Sequence, residues 1–184
     1  MDDNALAKVI SGGQTGADEA GVKVARWLRI PTGGTMPKGW RTQDGPRPEY
    51  ADRYGMIEHT SSGYGPRTFV NVADADLTLR IACDFGSAGE LLTAKACAKL
   101  GKPSVDVHVV IRDARRPVQT FEVDEFEVEG AIATILATSR LLGRPIVLNV
   151  AGNSDKTAPG MTVVATEILG RILAPFARAH APQG

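Results

Sequence analysis

The feature of this sequence that most constrains its fold is the glycine-rich segment Ser11-Gly-Gly-Gln-Thr-Gly-Ala-Asp18. An apolar run at residues 6–10 precedes it, and an amphipathic helical pattern over residues 16–29 follows and stops before Pro31. A strand, a glycine-rich turn and a helix in this order direct main-chain N–H groups and a helix N-terminus towards an anion, usually a phosphate. The segment therefore predicts both an α/β unit and a class of ligand.

Two further turns occupy the same kind of position. Gly86-Ser-Ala-Gly89 lies between a predicted strand at residues 77–83 and a predicted helix at 88–100. Asn149-Val-Ala-Gly-Asn-Ser154 lies between a predicted strand at 146–150 and a predicted helix at 162–173. In open α/β sheets, ligands bind outside the carboxyl ends of the strands. We therefore expect the three turns to lie near one site, although glycine at such a turn also serves tight backbone geometry alone.

The rest of the chain continues the alternation of strands and helices. We predict a short helix at 68–73, a strand at 104–111 and a helix at 124–142, and a long polar segment at 32–66 with one strand near 56–60. This order favours a parallel sheet covered by helices on both faces. A length of 184 residues fits a single domain spanning residues 1–184, with a loose tail from residue 174.

Composition limits the classes of partner. Lys plus Arg and Asp plus Glu both number 21, which argues against a general nucleic-acid binder. The acidic N-terminus is unlike a signal peptide, and no apolar run approaches a membrane span. Cys83 and Cys97 lack any metal-ligand spacing, so we expect reduced thiols, a cytoplasmic location and no metal held by the protein.

One glycine turn is too weak to hold a phosphorylated ligand. A helix terminus contributes about 0.3–2 kcal/mol per favourable charge, whereas micromolar binding needs about 8 kcal/mol. Cationic side chains must therefore contribute, and the long loop offers Lys38, Arg41 and Arg67. The aromatic residues that are candidates to stack on a ring are Trp40, Tyr50 and Tyr64.

Two carboxylates begin predicted helices close to these turns. Asp18 and Glu90 both stand where an acid stabilises the helix dipole, which is the simpler interpretation of each. The functional alternative gives Asp18 a ribose-type hydroxyl or a metal as partner, because a carboxylate repels phosphate. It gives Glu90 the role of a general acid or base in glycosidic cleavage. His59, His108 and His180 are far apart in the sequence and form no cluster.

Taken together, five motifs resemble the family named "putative molybdenum carrier", also described as a circularly permuted branch of the SLOG superfamily, whose relatives include the cytokinin-activating LOG enzymes. The resemblance covers residues 8–173. Its motifs are Ser11-Gly-Gly-Gln-Thr-Gly-Ala-Asp18, Pro31-Thr-Gly-Gly-Thr-Met-Pro-Lys-Gly-Trp-Arg41, Pro48-Glu-Tyr-Ala51, Gly63-Tyr-Gly-Pro-Arg-Thr68 and Asn149-Val-Ala-Gly152. It implies a three-layer Rossmann-like fold that binds a nucleotide or another phosphorylated ligand. Carriers of this kind hold molybdenum cofactor, a pterin with a phosphate tail.

The resemblance also implies roles for individual residues. The first turn would approach an anionic group through Gly12, Gly13, Thr15 and Gly16. Charge would come from Lys38, Arg41 and Arg67, and Gly86, Ser87 and Gly89 would belong to the second glycine turn. The side-chain amides of Gln14 in the first turn and Asn149 in the third are further candidates for ligand contact. One departure is informative: Thr93 stands where LOG enzymes carry their catalytic glutamate, which argues against the LOG reaction.

The sequence therefore favours a protein that binds a small phosphorylated molecule, a nucleotide or molybdenum cofactor, as a carrier or sensor. The alternative is a hydrolase that cleaves an N-glycosidic or phosphate bond in a nucleotide, with Asp18 and Glu90 as its candidate acids. A third hypothesis is a structural or partner-recruiting domain with a vestigial pocket. By analogy with other proteins of this fold we expect a homo-oligomer.

Overall fold

A computed structural model describes residues 5–112 and 120–178 of the chain. Among these residues, none of the helices has the length and apolar character that a membrane crossing requires. The elements in chain order are β1 Leu6–Ser11, α1 Ala17–Trp27, β2 Thr32–Met36, β3 Arg41–Thr42, β4 Gly45–Pro46, α2 Tyr50–Tyr54, β5 Met56–Glu58, α3 Tyr64–Asp74, β6 Leu77–Ala82, α4 Ala88–Leu100, β7 Ser104–Ile111, β8 Phe121–Val123, α5 Glu125–Leu142, β9 Ile146–Gly152, α6 Met161–Leu173 and a 3₁₀ turn Ala174–Phe176.

Within the described residues, seven of the strands form one sheet in the order β5-β2-β1-β9-β6-β7-β8. All neighbouring strands run parallel except β8, which pairs antiparallel with β7 at the edge. Helices α1, α5 and α6 pack on one face, and α3 and α4 pack on the other. The predicted three-layer α/β fold with a mostly parallel sheet is confirmed.

The two faces of the sheet differ in polarity. On β6, Leu77, Leu79 and Ile81 belong to the main apolar core with α1, α5 and α6, and all three are fully buried. The alternating residues Thr78 and Arg80 are also buried but point to the face under α4, because successive side chains of a strand point to opposite sides. Parallel sheets are usually apolar on both faces, so the α3–α4 face is the unusual one.

The long segment at residues 32–66 is more ordered than the sequence indicated. It holds α2, the short β3–β4 hairpin and strand β2 in addition to the predicted strand near residue 56. Strand β2 begins Thr32-Gly-Gly-Thr35, and glycine is normally depleted in strands. Gly34 is required there because a Cβ would lie 2.0 Å from the carbonyl oxygen of Ser11 in the neighbouring chain segment.

The prediction of a loose tail is wrong for residues 174–178. Phe176 is 3% exposed and belongs to the main apolar core. The N–H of Arg178 donates to the carbonyl oxygen of Leu28, 3.1 Å away. Burial of one aromatic side chain therefore holds this part of the C-terminus on the body. Residues 179–184, including His180, lie outside the described residues.

Candidate functional site

A cavity of about 380 Å³ opens between α3 and α4, above the carboxyl ends of β1 and β9. This is the position at which open α/β sheets bind ligands, and the volume falls within the usual range for small-molecule pockets. Eleven of its 19 lining residues are uncharged polar residues, although apolar atoms make up most of the wall surface, and its charged residues are Asp18, Arg67 and Glu90. The remaining lining residues are Gln14, Gln43, Tyr64, Thr68, Asn71, Ser87, Ala88, Gly89, Leu92, Thr93, Asn149, Ala151, Gly152, Asn153, Ser154 and Thr157.

The first glycine turn, between β1 and α1, uses its N–H groups internally. Gly13 N donates to Ser11 Oγ at 3.1 Å, and Thr15 N donates to Gln14 Oε1 at 3.0 Å. Gly16 N donates to Oγ1 of Thr162 at 2.7 Å. The main-chain amides of this turn are therefore already satisfied by the protein's own side chains.

The carboxylate of Asp18 takes the place of an external anion in this turn. Its Oδ2 accepts a hydrogen bond from Gln14 N at 3.4 Å, and the N–H of Gly12 also donates to this carboxylate. Nη1 of Arg67 lies 3.1 Å from the same oxygen, and both side chains are largely buried. Burial raises the pKa of Asp18, whereas the Arg67 guanidinium and the two N–H groups oppose that shift. An acidic side chain of the chain itself thus occupies the position of an external anion in this turn.

Packing explains why two of the glycines in this turn are needed. A Cβ on Gly12 would lie 1.3 Å from Nη1 of Arg67, so the missing side chain makes room for the guanidinium. Gly16 has φ +89°, and a Cβ there would lie 2.1 Å from the carbonyl oxygen of Asn153. Both glycines therefore serve the packing of the turn rather than the approach of a ligand.

The second glycine turn, between β6 and α4, is open. Helix α4 has 13 residues, its N-cap is Ser87, and no side chain caps it. Within the described residues, the N–H groups of Ala88, Gly89 and Glu90 have no hydrogen-bond acceptor. These residues and Ser87 line the cavity. Three unpaired N–H groups at the positive end of a helix dipole therefore belong to residues that border the cavity.

The third turn, after β9, holds the second turn in place. Asn153 is 2% exposed, and its Oδ1 accepts hydrogen bonds from the N–H groups of Cys83 and Asp84, both at 2.9 Å. Its Nδ2 donates to the carbonyl oxygen of Asp84 at 3.0 Å and to Oγ of Ser87 at 3.2 Å. One buried amide therefore fixes the start of α4 relative to the sheet.

Glu90 is a buried acid without a full set of partners. It is 1% exposed and lines the cavity. Its Oε2 accepts no hydrogen bond and lies 3.8 Å from Nη1 of Arg80. Arg80 is committed elsewhere, since its Nε and Nη2 bind the two carboxylate oxygens of Asp106. Burial raises the pKa of Glu90 to about 7, with Arg80 opposing and Asp18, Asp106 and Asp84 adding to the shift.

The structure brings together about half of the residues that the sequence singled out. The predicted residues on the cavity wall are Gln14, Asp18, Arg67, Ser87, Gly89, Glu90 and Asn149. The glycines of the first turn, Thr15 and Gly86 are not among the lining residues. Lys38 and Arg41 are exposed and do not line this cavity, so their role in binding a ligand stays a prediction. The strand and hairpin between residues 32 and 46 direct them elsewhere.

Sequence reasoning missed several polar residues on this face. Asn71 of α3 exchanges hydrogen bonds with the main chain of Thr35, accepting at 2.8 Å and donating at 3.0 Å. Gln43, at the tip of the β3–β4 hairpin, is tied to the first turn by Gln14 Oε1, which accepts from its N–H at 2.8 Å. Arg80 offered a signal, because it is a charged residue inside an otherwise apolar buried strand.

The described residues contain no group of three or more His, Cys, Asp or Glu side chains arranged to hold a metal ion. The open N–H groups at the start of α4 suit an anion, and the side-chain amides of the wall offer hydrogen-bond donors and acceptors.

The fold and the cavity together define an α/β protein of the Rossmann-like class with a pocket at the carboxyl edge of its sheet. Residues 9–173 match the model of the circularly permutated YpsA SLOG family, and the chain therefore belongs to that family. This confirms the resemblance seen in the sequence.

A solved structure supports the same assignment. The chain is 32% identical to a "putative molybdenum carrier protein" from Syntrophus aciditrophicus SB, with a TM-score of 0.73. The match covers 93% of this chain and 97% of the other. None of the curated proteins matches this chain at a significant level.

Proposed function

We propose that the chain binds a small phosphorylated ligand, a nucleotide or molybdenum cofactor, in the cavity between α3 and α4 and acts as a carrier or sensor. The observation that carries this proposal is the open start of α4, where three N–H groups without acceptors border the cavity. The solved relative's description as a molybdenum carrier is consistent with a ligand of this kind.

Arg67 supplies positive charge to the proposed site. One of its nitrogens pairs with Asp18, but its buried Nε has no hydrogen-bond partner. A buried guanidinium N–H without an acceptor is costly, and an anionic ligand would provide the acceptor. Phosphate would lie on the amides of Ala88, Gly89 and Glu90, and the ring would contact the amide side chains of the opposite wall.

The test is calorimetric titration with a panel of nucleotides and with molybdenum cofactor. Gly89→Asp places a carboxylate at the start of α4, where its Cβ meets no neighbouring atom. We expect binding to weaken about a thousandfold, because like charges about 4 Å apart near a protein surface repel by about 4 kcal/mol. The matched control is Gly130→Asp in α5, where a Cβ also meets nothing. Failure of every phosphorylated compound at millimolar concentration would reject the proposal.

A second candidate function is hydrolysis of a nucleotide, and the specific observation in its favour is Glu90. A carboxyl with a pKa of about 7 in a buried cavity has the protonation equilibrium that a general acid or base needs at neutral pH. Asp18 fits that role poorly, since its oxygens already accept main-chain N–H groups and Arg67. Incubating a nucleotide panel and measuring released base and phosphate tests this; absence of turnover, or turnover that survives Glu90→Gln, argues against it.

We also propose that the protein self-associates and works in the cytoplasm. Support for self-association comes from α5, where Phe126 is 82% and Leu141 is 86% exposed. Support for the location comes from Cys83 and Cys97, which are both free thiols. Native mass spectrometry of the purified protein measures the subunit count and any retained small molecule; a monomer at cellular concentrations contradicts the first part.

A further inference from the structure

The start of α4 combines two features that suit different chemical groups of one ligand. The first is the set of unpaired N–H groups of Ala88, Gly89 and Glu90, which suits an anion. The second is the carboxyl of Glu90 itself, which has 2% of its side chain exposed and an oxygen without a hydrogen-bond donor. Both belong to the first turn of the same helix and both border the cavity.

The geometry points to a sugar phosphate as the portion of the ligand that this site recognises, with the phosphate on the amides that begin α4 and neighbouring sugar hydroxyls on the carboxyl of Glu90. This inference rests on the proposed function and makes its ligand class narrower. It assigns Glu90 a binding role that requires no reaction.

The other acids near the cavity are already occupied. Asp18 accepts hydrogen bonds from Gln14 and Gly12 and pairs with Arg67. Asp106 holds the guanidinium fork of Arg80. Among the acids that line the cavity, Glu90 is therefore the one whose carboxyl oxygen still lacks a donor.

Hydroxyl groups fit Glu90 better than the alternatives. A hydroxyl both donates and accepts, so it satisfies the carboxyl in its neutral form and in its charged form. A ring N–H only donates, so it leaves the O–H of the neutral carboxyl without an acceptor, and a cation needs the charged form. Arg80 lies 3.8 Å away and already supplies a partly shared positive charge, so a second cation would add repulsion.

Distance along the ligand also favours a sugar. The carboxyl of Glu90 is one side chain away from the amides of its own helical turn, so phosphate and hydroxyls must be separated by only a few bonds. A sugar phosphate has this spacing. The base of a nucleotide lies further from the phosphate than the sugar does. It would therefore contact the opposite wall, which includes Gln14, Gln43 and Asn149.

The experiment compares adenosine 5′-monophosphate, 2′,3′-dideoxyadenosine 5′-monophosphate and ribose 5-phosphate by calorimetry. With the wild-type protein, we expect the dideoxy compound to bind about tenfold more weakly than the ribonucleotide, since a hydrogen bond to a charged group contributes about 1.5–3 kcal/mol. We also expect ribose 5-phosphate to bind measurably. In Glu90→Gln the difference between the two nucleotides should shrink to about twofold or less, whereas in the control Glu129→Gln, at an exposed position of α5, it should persist.

The outcomes separate this inference from the proposed function. If no phosphorylated compound binds, both are rejected. If the two nucleotides bind equally well, or if their difference is the same in Glu90→Gln as in the wild type, the site still binds phosphorylated ligands but Glu90 does not recognise the sugar. Thermal unfolding of Glu90→Gln in the absence of ligand verifies that the variant is folded.

Discussion

The two glycine-rich turns beside the cavity look alike in sequence and differ in structure. In the turn between β1 and α1, the N–H groups are satisfied by side chains of the chain itself, among them the carboxylate of Asp18. In the turn between β6 and α4, the N–H groups of Ala88 and Gly89 remain unpaired. The same local motif is thus closed by an internal carboxylate in one case and left with unpaired N–H groups in the other.

Residues distant in the sequence determine whether the N–H groups of each turn are paired. Arg67 reaches the first turn from α3, 49 positions after Asp18. Asn153 fixes the second turn from the end of β9, 66 positions after Ser87. Such long-range partners are set by the strand order, which places β9 between β1 and β6. A glycine pattern read alone therefore predicts a turn but does not predict whether its amides are free.

Alanine in place of one glycine from each turn gives the largest predicted contrast. Gly16→Ala combines a positive φ with a Cβ 2.1 Å from a main-chain oxygen. We expect a loss of about 5 kcal/mol of unfolding free energy, or failure to fold, from backbone strain and overlap together. Gly89→Ala meets no neighbouring atom and lies in a helix, where alanine is favoured, so its stability should change by no more than about 1 kcal/mol. Denaturant titration of both variants measures this, and equal stabilities would contradict the packing role of the first turn.

Removing the internal anion should make the first turn respond to external anions. Asp18→Ala leaves Arg67 buried without a countercharge, which costs about 4 kcal/mol. Formate or phosphate should then enter the space and restore part of the lost stability, whereas wild type should gain nothing at this turn.

The readout is the unfolding midpoint with and without formate. The control for a general salt effect is Asp44→Ala, which removes an exposed carboxylate at the hairpin tip. If formate raises the midpoint of Asp18→Ala no more than that of Asp44→Ala, the carboxylate is not acting as an internal anion.

The sequence predicted the elements that carry regular periodicity. The boundaries of α4 and β7 agree with the prediction at both ends, and α5 begins one residue later than expected. Strand β2 was missed because its two glycines lower strand propensity, and what places it in the sheet is the close approach of Gly34 to Ser11, a contact between segments.

The candidate site was predicted in its location but not in its chemistry. Gln14, Arg67 and Asn149 were expected at the carboxyl edge and do line the cavity. No sequence pattern indicated that the carboxyl of Asp18 would accept the N–H groups of the first turn. For Glu90, stabilisation of the helix dipole is the simpler interpretation of the sequence and a general acid or base is the alternative. In the structure, Glu90 is buried beside Arg80, which Asp106 already binds, so one oxygen of its carboxyl lacks a hydrogen-bond donor. This arrangement depends on contacts among α4, β6 and β7, which no local sequence pattern predicts.

The open turn carries an acid whose ionisation should oppose folding. The folded-state pKa of Glu90 is about 7, above its usual 4.5, because of burial and of Asp18, Asp106 and Asp84, with Arg80 opposing. Between pH 4.5 and 7, Glu90 keeps its proton in the folded protein and loses it in the unfolded chain. The stability of the folded protein relative to the Glu90→Gln variant is therefore highest below pH 4.5 and falls as the pH rises through 7. Glu90→Gln should therefore be more stable than wild type by up to about 3 kcal/mol at pH 8, with a difference that declines towards pH 4.5.

Chemical unfolding at several pH values measures this difference. Glu129→Gln, which removes an exposed carboxylate, should show no comparable dependence on pH. A constant offset between Glu90→Gln and wild type from pH 4.5 to 8 would mean that Glu90 titrates near its ordinary pKa.

The smallest predicted effect concerns the long loop. Lys38 and Arg41 are exposed and do not line the cavity, so the double variant Lys38→Ala, Arg41→Ala should change the midpoint shift produced by inorganic phosphate by less than about twofold, as expected for solvent-screened charges. Gly89→Asp, at the open turn, should abolish that shift. A clear loss in the double variant would instead show that phosphate binding draws the loop between β2 and β4 over the cavity. In that case, the difference between the two turns would not by itself explain phosphate binding. The open amides of α4 would act together with Lys38 and Arg41, which the structure holds apart from them.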